Sequence, residues 1–164
     1  MKSYIKNIPI FLIMIVAISL AIIPTQAFSV DRLEYNIDEI GTVYVSADYQ
    51  LTFLESVALR VPTIRDEFTK AINTEYGNDA VVLDLTDTHT EFSIPKWADV
   101  KEDGYIQTPS ITFSNVKNRI DSYWFLKPLN IDYTPAITIV RFPNGESFTY
   151  TEQMSFPSLS VKAL

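Results

Sequence analysis

The uncharged N-terminal segment is the feature that most limits what this chain can fold into. After Lys2 and Lys6 no charge follows until Asp31, and an intensely apolar run extends over residues 8–23. A short basic region followed by an apolar region and a small residue at a cut site is typical of a secretory signal peptide. We therefore assign residues 1–27 to targeting and not to the folded domain.

Two fates of residues 1–27 stay open. Pro24 interrupts the apolar run, and Ala27 is the residue expected just before a cleavage site. The alternative is an uncleaved membrane anchor over residues 8–27, although the apolar run alone would give only about 24 Å of helix against a hydrocarbon core of about 30 Å. Both fates place residues 28–164 outside the cytoplasm, as a single extracytoplasmic domain.

The composition excludes several classes of site. The chain of 164 residues has no cysteine, one histidine and four glycines, with a formal net charge of −7, and loss of Lys2 and Lys6 lowers that charge to −9. Disulfides, thiolate metal sites, multi-histidine sites within one chain and glycine-rich phosphate loops are therefore excluded. The acidic balance argues against a nucleic-acid partner, which would require cations at phosphates.

Apolar periodicity predicts two kinds of element. Alternation and turn residues predict strands, and helical spacing after the N-caps Thr63 and Ser114 predicts two helices, which end before Asn78 and Pro128. Phe142-Pro143-Asn144-Gly145 predicts the turn of the last hairpin. No element is assigned to the tail from Phe156. The predicted strands are Arg32–Asp38, Thr42–Tyr49, Ala80–Leu85, Thr88–Ile94, Tyr105–Phe113, Ala136–Phe142 and Glu146–Thr151.

The element order ββ-α-βββ-α-ββ predicts an α+β fold. Strands that follow one another through short turns favour an antiparallel sheet, here of about six to seven strands, with the two helices packed on one face.

His89 is the centre of the strongest catalytic hypothesis. On a strand, Asp87, His89 and Glu91 project from the same face, so that two carboxylates flank an imidazole. Such a set could bind zinc or manganese, or could make His89 a general base. The alternative is the solvated face of a half-buried strand, and we expect no catalytic residue here.

The polar segment Lys96–Gly104 supplies two further candidates. Its acids Asp99, Glu102 and Asp103 suggest weak calcium binding, although Lys101 stands where an EF-hand needs an oxygen ligand. We therefore expect no cofactor, with weak calcium binding as the alternative. Trp97 lies in the same loop and is the candidate for an exposed aromatic contact.

The C-terminal third resembles a group of secreted proteins from methanogenic archaea. The residues that carry the resemblance lie between residues 120 and 146 and include Tyr123-Trp124-Phe125, Pro128-Leu129, Asp132-Tyr133, Pro135-Ala136 and Phe142-Pro143-Asn144-Gly145. The resemblance implies an extracytoplasmic location and an archaeal source. It implies no activity, because the family it points to has no known function and the matching residues are structural.

Three functional hypotheses follow. The first is a non-enzymatic, secreted or envelope-associated domain that binds a protein or another cell-envelope component. The second is an exported hydrolase or metal-dependent enzyme centred on His89. The third is a surface module that calcium stabilises. The first is the one we expect, because an exported acidic chain without a convincing catalytic set favours binding over chemistry.

Overall fold

The computed structural model of the chain describes residues 29–51, 66, 70, 73, 80–113 and 134–163. The predicted targeting segment 1–27 and the predicted helix after Ser114 lie outside these residues. Of the predicted helix after Thr63, only Asp66, Lys70 and Asn73 are described, and their backbone is helical. Within the described residues, no helix is long and apolar enough to cross a membrane.

A six-stranded sheet forms the larger layer of the fold. Its strands are β1 (Ser29–Ile37), β2 (Val43–Gln50), β3 (Val81–Leu85), β4 (His89–Ile94), β8 (Ile137–Arg141) and β9 (Ser147–Thr151). The strand order is β3-β4-β2-β1-β8-β9, and every neighbouring pair is antiparallel except β1 and β8, which are parallel.

Five short strands form two smaller sheets. These strands are β5 (Asp99–Val100), β6 (Tyr105–Gln107), β7 (Ile111–Thr112), β10 (Ser155–Phe156) and β11 (Ser160–Lys162). One sheet has three antiparallel strands in the order β11-β6-β5, and the other pairs β10 with β7.

The turn between β1 and β2 shows why the chain reverses there. The Asp38 carboxylate accepts hydrogen bonds from the backbone N–H groups of Ile40, at 3.0 Å, and Thr42, at 2.8 Å. Gly41 has a φ of +80°, and a Cβ atom there would lie 2.2 Å from the carbonyl oxygen of Ala98. Only glycine satisfies both the left-handed backbone and this close approach.

The core lies between the six-stranded sheet and the two smaller sheets. Phe156 of β10 packs edge-on against Tyr35 of β1, with ring centroids 5.7 Å apart, and stacks on Tyr150 of β9 at 5.1 Å. We call the core side of the large sheet its inner face and the opposite side its outer face. The inner face and the small sheets share one cluster of buried residues, which includes Tyr35, Val45, Phe92, Ile106, Val140, Phe156 and Val161.

The predicted fold class is wrong for the described part of the chain. More than half of the described residues lie in strands, and they form no helical element. Short strands cover the inner face where we expected two helices, because Ile106, Ile111 and Val161 supply the apolar surface. The β1–β8 pair also makes the sheet mixed and not purely antiparallel.

Several predicted strands are confirmed, and the errors in the strand prediction concern the short strands. The β1–β2, β3–β4 and β8–β9 pairs lie where alternation and turns predicted them. The predicted strand Tyr105–Phe113 is in fact two strands, β6 and β7, in different sheets, with Pro109 between them. The loop before it contains β5, and the unassigned tail includes β11.

Candidate functional site

His89 lies at the start of β4 on the outer face of the six-stranded sheet. Its Nδ1 atom is 2.7 Å from Oδ1 of Asp48, which is its direct cross-strand neighbour on β2. This contact orients the imidazole and leaves Nε2 pointing away from the carboxylate. Within the described residues, no hydroxyl side chain hydrogen-bonds to the ring.

Asp87, His89 and Glu91 do not form the cluster that the sequence hypothesis predicted. Glu91 shares the outer face with His89, but its cross-strand neighbours are Ser46 and Asp84. Asp87 lies in the bend before β4. Within the described residues, no group of three or more His, Cys, Asp or Glu side chains could hold a metal ion.

Tyr49 fixes the backbone beside His89 from the inner face. Its hydroxyl lies 2.8 Å from the carbonyl oxygen of Thr86 and 3.2 Å from that of His89. Burial raises the pKa of Tyr49 to about 12, and the negative charges of Asp87 and Asp84 add to the effect. The phenol therefore stays protonated and acts as a hydrogen-bond donor to this turn, not as a base.

A second polar group on the outer face lies at the β1–β8 pair. Both Arg32 and Arg141 form ion pairs with Glu34, and Arg141 also donates from Nη1 to Oδ1 of Asn36 at 3.3 Å. We call these four residues the arginine–glutamate cluster. Its guanidinium groups are nearly half exposed, whereas the Glu34 side chain is only 16% exposed.

The charge balance of this cluster is set by Glu34. Burial alone would raise the pKa of Glu34, but hydrogen bonds and charge attraction from Arg141 and Arg32 outweigh it, so the net pKa is lowered. Glu34 is therefore ionised at neutral pH and neutralises one of two guanidinium groups. The cluster keeps one excess positive charge on the surface of an acidic protein.

The predicted calcium ligands lie around the β5–β6 hairpin. Asp99 forms an ion pair with Lys101, and Oδ1 of Asp103 accepts a hydrogen bond from the backbone N–H of Tyr105 at 3.3 Å. Glu102 is exposed at the tip of the turn. Asp99 and Asp103 are thus engaged with different partners, and within the described residues no group of three or more acidic or histidine side chains could hold a metal ion.

An open hollow lies beside these acids on the solvent side of the three-stranded sheet. We call it the Tyr105 hollow, because the ring of Tyr105 is the large aromatic group in its lining. The lining residues are Lys101, Glu102, Asp103, Tyr105, Gln107 and Ser160. The sequence hypothesis missed Tyr105 and Gln107, which share one face of β6, and Ser160, which the pairing of β6 with β11 brings beside Gln107.

Trp97 contributes to the core with one side of its ring. It stacks on Tyr35 with centroids 5.5 Å apart and an interplanar angle of 19°, and it is half-buried against the core cluster. The indole is therefore largely committed to packing. Tyr44 and Tyr105, at 42% and 39% exposure, are the more accessible aromatic side chains.

The fold and these surfaces define a layered β domain with polar sheet faces. Comparisons with protein-family models, with curated proteins and with solved structures find no match for the chain. The functional conclusion therefore rests on the geometry and chemistry of these surfaces.

Proposed function

We propose that this chain is an exported, non-enzymatic domain that binds a component of the cell envelope. It acts either as a secreted protein that starts at Phe28, or at the outer face of the membrane, held there by residues 8–27. The signal-like sequence that ends at the small residue Ala27 supports export. The resemblance to secreted archaeal proteins points in the same direction.

The observation that carries the binding proposal is the exposed arginine–glutamate cluster beside Tyr44. Arginine and tyrosine are enriched in protein interfaces, where they contribute large contact areas and directional hydrogen bonds. Tyr44 is the cross-strand neighbour of Asn36, and Asn36 in turn is that of Arg141. These groups are fixed on a sheet, so little conformational entropy is lost when a partner binds.

A catalytic function has weaker support. The contact between His89 and Asp48 would orient a general base, as an acid does in a catalytic triad. A hydrolase would also need a nucleophile or an activated water at the imidazole. The side chains of His89 and Asp48 are 33% and 52% exposed to solvent, so water is excluded poorly from a reaction at this pair.

The export part of the proposal is tested by fractionation of native cells. N-terminal sequencing of the recovered protein should give a chain that starts at Phe28, or an intact chain in the membrane fraction whose domain is digested by protease added outside the cells. Recovery of the intact chain in the cytoplasmic fraction would refute export.

The binding part is tested by co-sedimentation of the purified protein with isolated cell envelopes. Binding should saturate, and Arg141→Ala should weaken it about tenfold, since a hydrogen-bonded charge at an interface contributes about 1.5–3 kcal/mol. Lys96→Ala is the matched control, because Lys96 is an exposed cation in the β4–β5 turn. Equal binding by the wild-type protein and the Arg141 variant would rule out this face.

A further inference from the structure

The Tyr105 hollow is built from the outward residues of two paired strands, β6 and β11, and from the turn between β5 and β6. Tyr105 and Gln107 of β6 point to the same side of the sheet, and Ser160 of β11 is the direct neighbour of Gln107. Ile106, which lies between Tyr105 and Gln107 on β6, is completely buried in the core. The core therefore holds the floor of the hollow in place from behind.

Backbone hydrogen bonds also hold the rim of the hollow. The N–H of Lys101 donates to the carbonyl of Tyr105 at 2.8 Å, and that of Gly104 donates to the carbonyl of Lys101 at 3.0 Å. The N–H of Ala163 donates to the Gly104 carbonyl at 2.7 Å, which ties the end of β11 to the tip of the turn. A ligand would thus meet a preformed surface, which lowers the entropic cost of binding.

The lining combines one exposed aromatic ring with groups that can both donate and accept hydrogen bonds. An aromatic face carries partial negative charge and attracts the weakly positive C–H groups of an aliphatic ring. The Gln107 amide and the Ser160 hydroxyl can each donate and accept, as ligand hydroxyl groups require. The Gln107 amide donates only a long hydrogen bond, to Ser158 Oγ at 3.4 Å, which a ligand could replace.

The charges of the lining restrict the ligand further. Lys101 is already paired with Asp99, whereas Glu102 and Asp103 form no ion pair with a described residue. The hollow is therefore net acidic and repels polyanions, while its carboxylates accept hydrogen bonds from hydroxyl or amino groups.

We propose that the Tyr105 hollow binds a neutral or amino-bearing saccharide. One face of the sugar ring packs on Tyr105, and its hydroxyl or amino groups hydrogen-bond to Gln107, Ser160 and the carboxylates of Glu102 and Asp103. This inference goes beyond the proposed function, because it adds a second binding site on a different surface from the arginine–glutamate cluster; its ligand would be a glycan of the cell envelope.

Calorimetric titration of the full-length chain with defined oligosaccharides tests the proposal. The chain is kept soluble in a detergent without a sugar headgroup, so that the detergent cannot compete. The probes are an N-acetylglucosamine oligomer, its cationic de-N-acetylated counterpart, and an anionic galacturonate oligomer of equal length. We expect the first two to bind and the galacturonate to bind at least about tenfold more weakly.

Two variants locate the site. Tyr105→Ala should weaken binding of the neutral oligomer about tenfold, because an aromatic contact contributes about 1 kcal/mol beyond the area that it buries. Leu83→Ala should leave the affinity unchanged, since Leu83 is 51% exposed but lies on β3 of the large sheet. Equal circular dichroism and melting curves for both variants would show that folding is retained.

Three outcomes would overturn the proposal. They are no binding of either favoured probe, unchanged binding by Tyr105→Ala, and binding of a lysine-rich peptide at this site without binding of the neutral oligomer. The result is independent of the fractionation experiment. A cytoplasmic location would refute export and leave a measured sugar site standing, whereas failed titrations would refute the sugar site and leave export untouched.

Discussion

The two faces of the six-stranded sheet are held by different forces, although their residues alternate along the same strands. On β1, Tyr35 is completely buried in the core, while its neighbour Glu34 pairs with two arginines on the outer face. Packing depends little on salt or pH, whereas charge pairs depend on both. The inner face should therefore determine stability, and the outer face is available for binding. Four predictions test this division.

The largest effect should come from Gly41, where the β1–β2 turn meets the loop that carries Ala98. Gly41→Ala should destabilise the fold by about 3 kcal/mol or more, because the left-handed backbone and the clash with the Ala98 carbonyl both oppose a Cβ atom. Chemical denaturation measures the change in the free energy of unfolding.

Gly145→Ala is the matched control for that experiment. Gly145 has a φ of +89°, but a Cβ atom there would meet nothing within 4 Å. Only the backbone cost of about 1 kcal/mol remains. If the two variants lose equal stability, the turn at Gly41 does not pack against Ala98 as described.

The second prediction compares two positions of β8 that face opposite sides. Val140 is completely buried on the inner face, whereas Ile137 is 40% exposed on the outer face. Val140→Ala should cost about 2 kcal/mol through lost burial and the cavity left behind, and Ile137→Ala should cost less than about 1 kcal/mol. Thermal and chemical denaturation measure both losses. If Ile137→Ala cost more stability than Val140→Ala, the assignment of the two faces would be wrong.

The extent to which the sequence could predict this structure differs between long and short elements. Alternation and turn residues were sufficient for the β1–β2 and β8–β9 hairpins, because their neighbours in space are also neighbours in the chain. The two-residue strands β5, β7 and β10 are too short to show a period. Their pairing depends on the core that they cover, and a local pattern contains no such information.

The site residues show the same limit. The sequence shows His89 as the one histidine of the chain. Its partner Asp48 lies 41 residues away and becomes its neighbour only through the register of β2 and β4. Arg141 and Glu34 are 107 residues apart and meet through the parallel β1–β8 pair. Because such contacts are set by strand order, the sequence could suggest the residue types but not the clusters.

The third prediction concerns Tyr49 on the inner face at alkaline pH. Its pKa is raised from the ordinary value of about 10 to about 12, so the folded state favours the neutral phenol. The stabilisation is complete below about pH 10 and is lost as the pH rises through about 12. A pKa difference of two corresponds to about 2.7 kcal/mol, and solvent screening at this part-buried hydroxyl reduces the expected loss to about 1 to 2 kcal/mol.

Tyr49→Phe separates this effect from the titration of the other tyrosines. The variant should lose about 1 kcal/mol at neutral pH, because the carbonyl groups of Thr86 and His89 lose their donor. Its stability should then fall less steeply than that of the wild-type protein between about pH 10 and 12. If the free energies of unfolding of the two proteins fall equally steeply with pH across this range, the role of Tyr49 is refuted.

The smallest effect should come from Glu34, because its guanidinium partners on the outer face are nearly half exposed to solvent. Its pKa is lowered, so the ion pairs stabilise the folded state above the ordinary pKa of a glutamate, and this stabilisation is lost as the pH falls through the lowered value. Glu34→Gln should therefore reduce stability by less than about 1 kcal/mol at neutral pH and low salt. The difference from the wild-type protein should shrink in acid and in high salt.

Glu39→Gln, in the exposed β1–β2 turn, is the control and should change stability little under any of these conditions. A large loss for Glu34→Gln that persists in high salt would mean that the outer face also determines the stability of the fold, and the division between the two faces would be wrong.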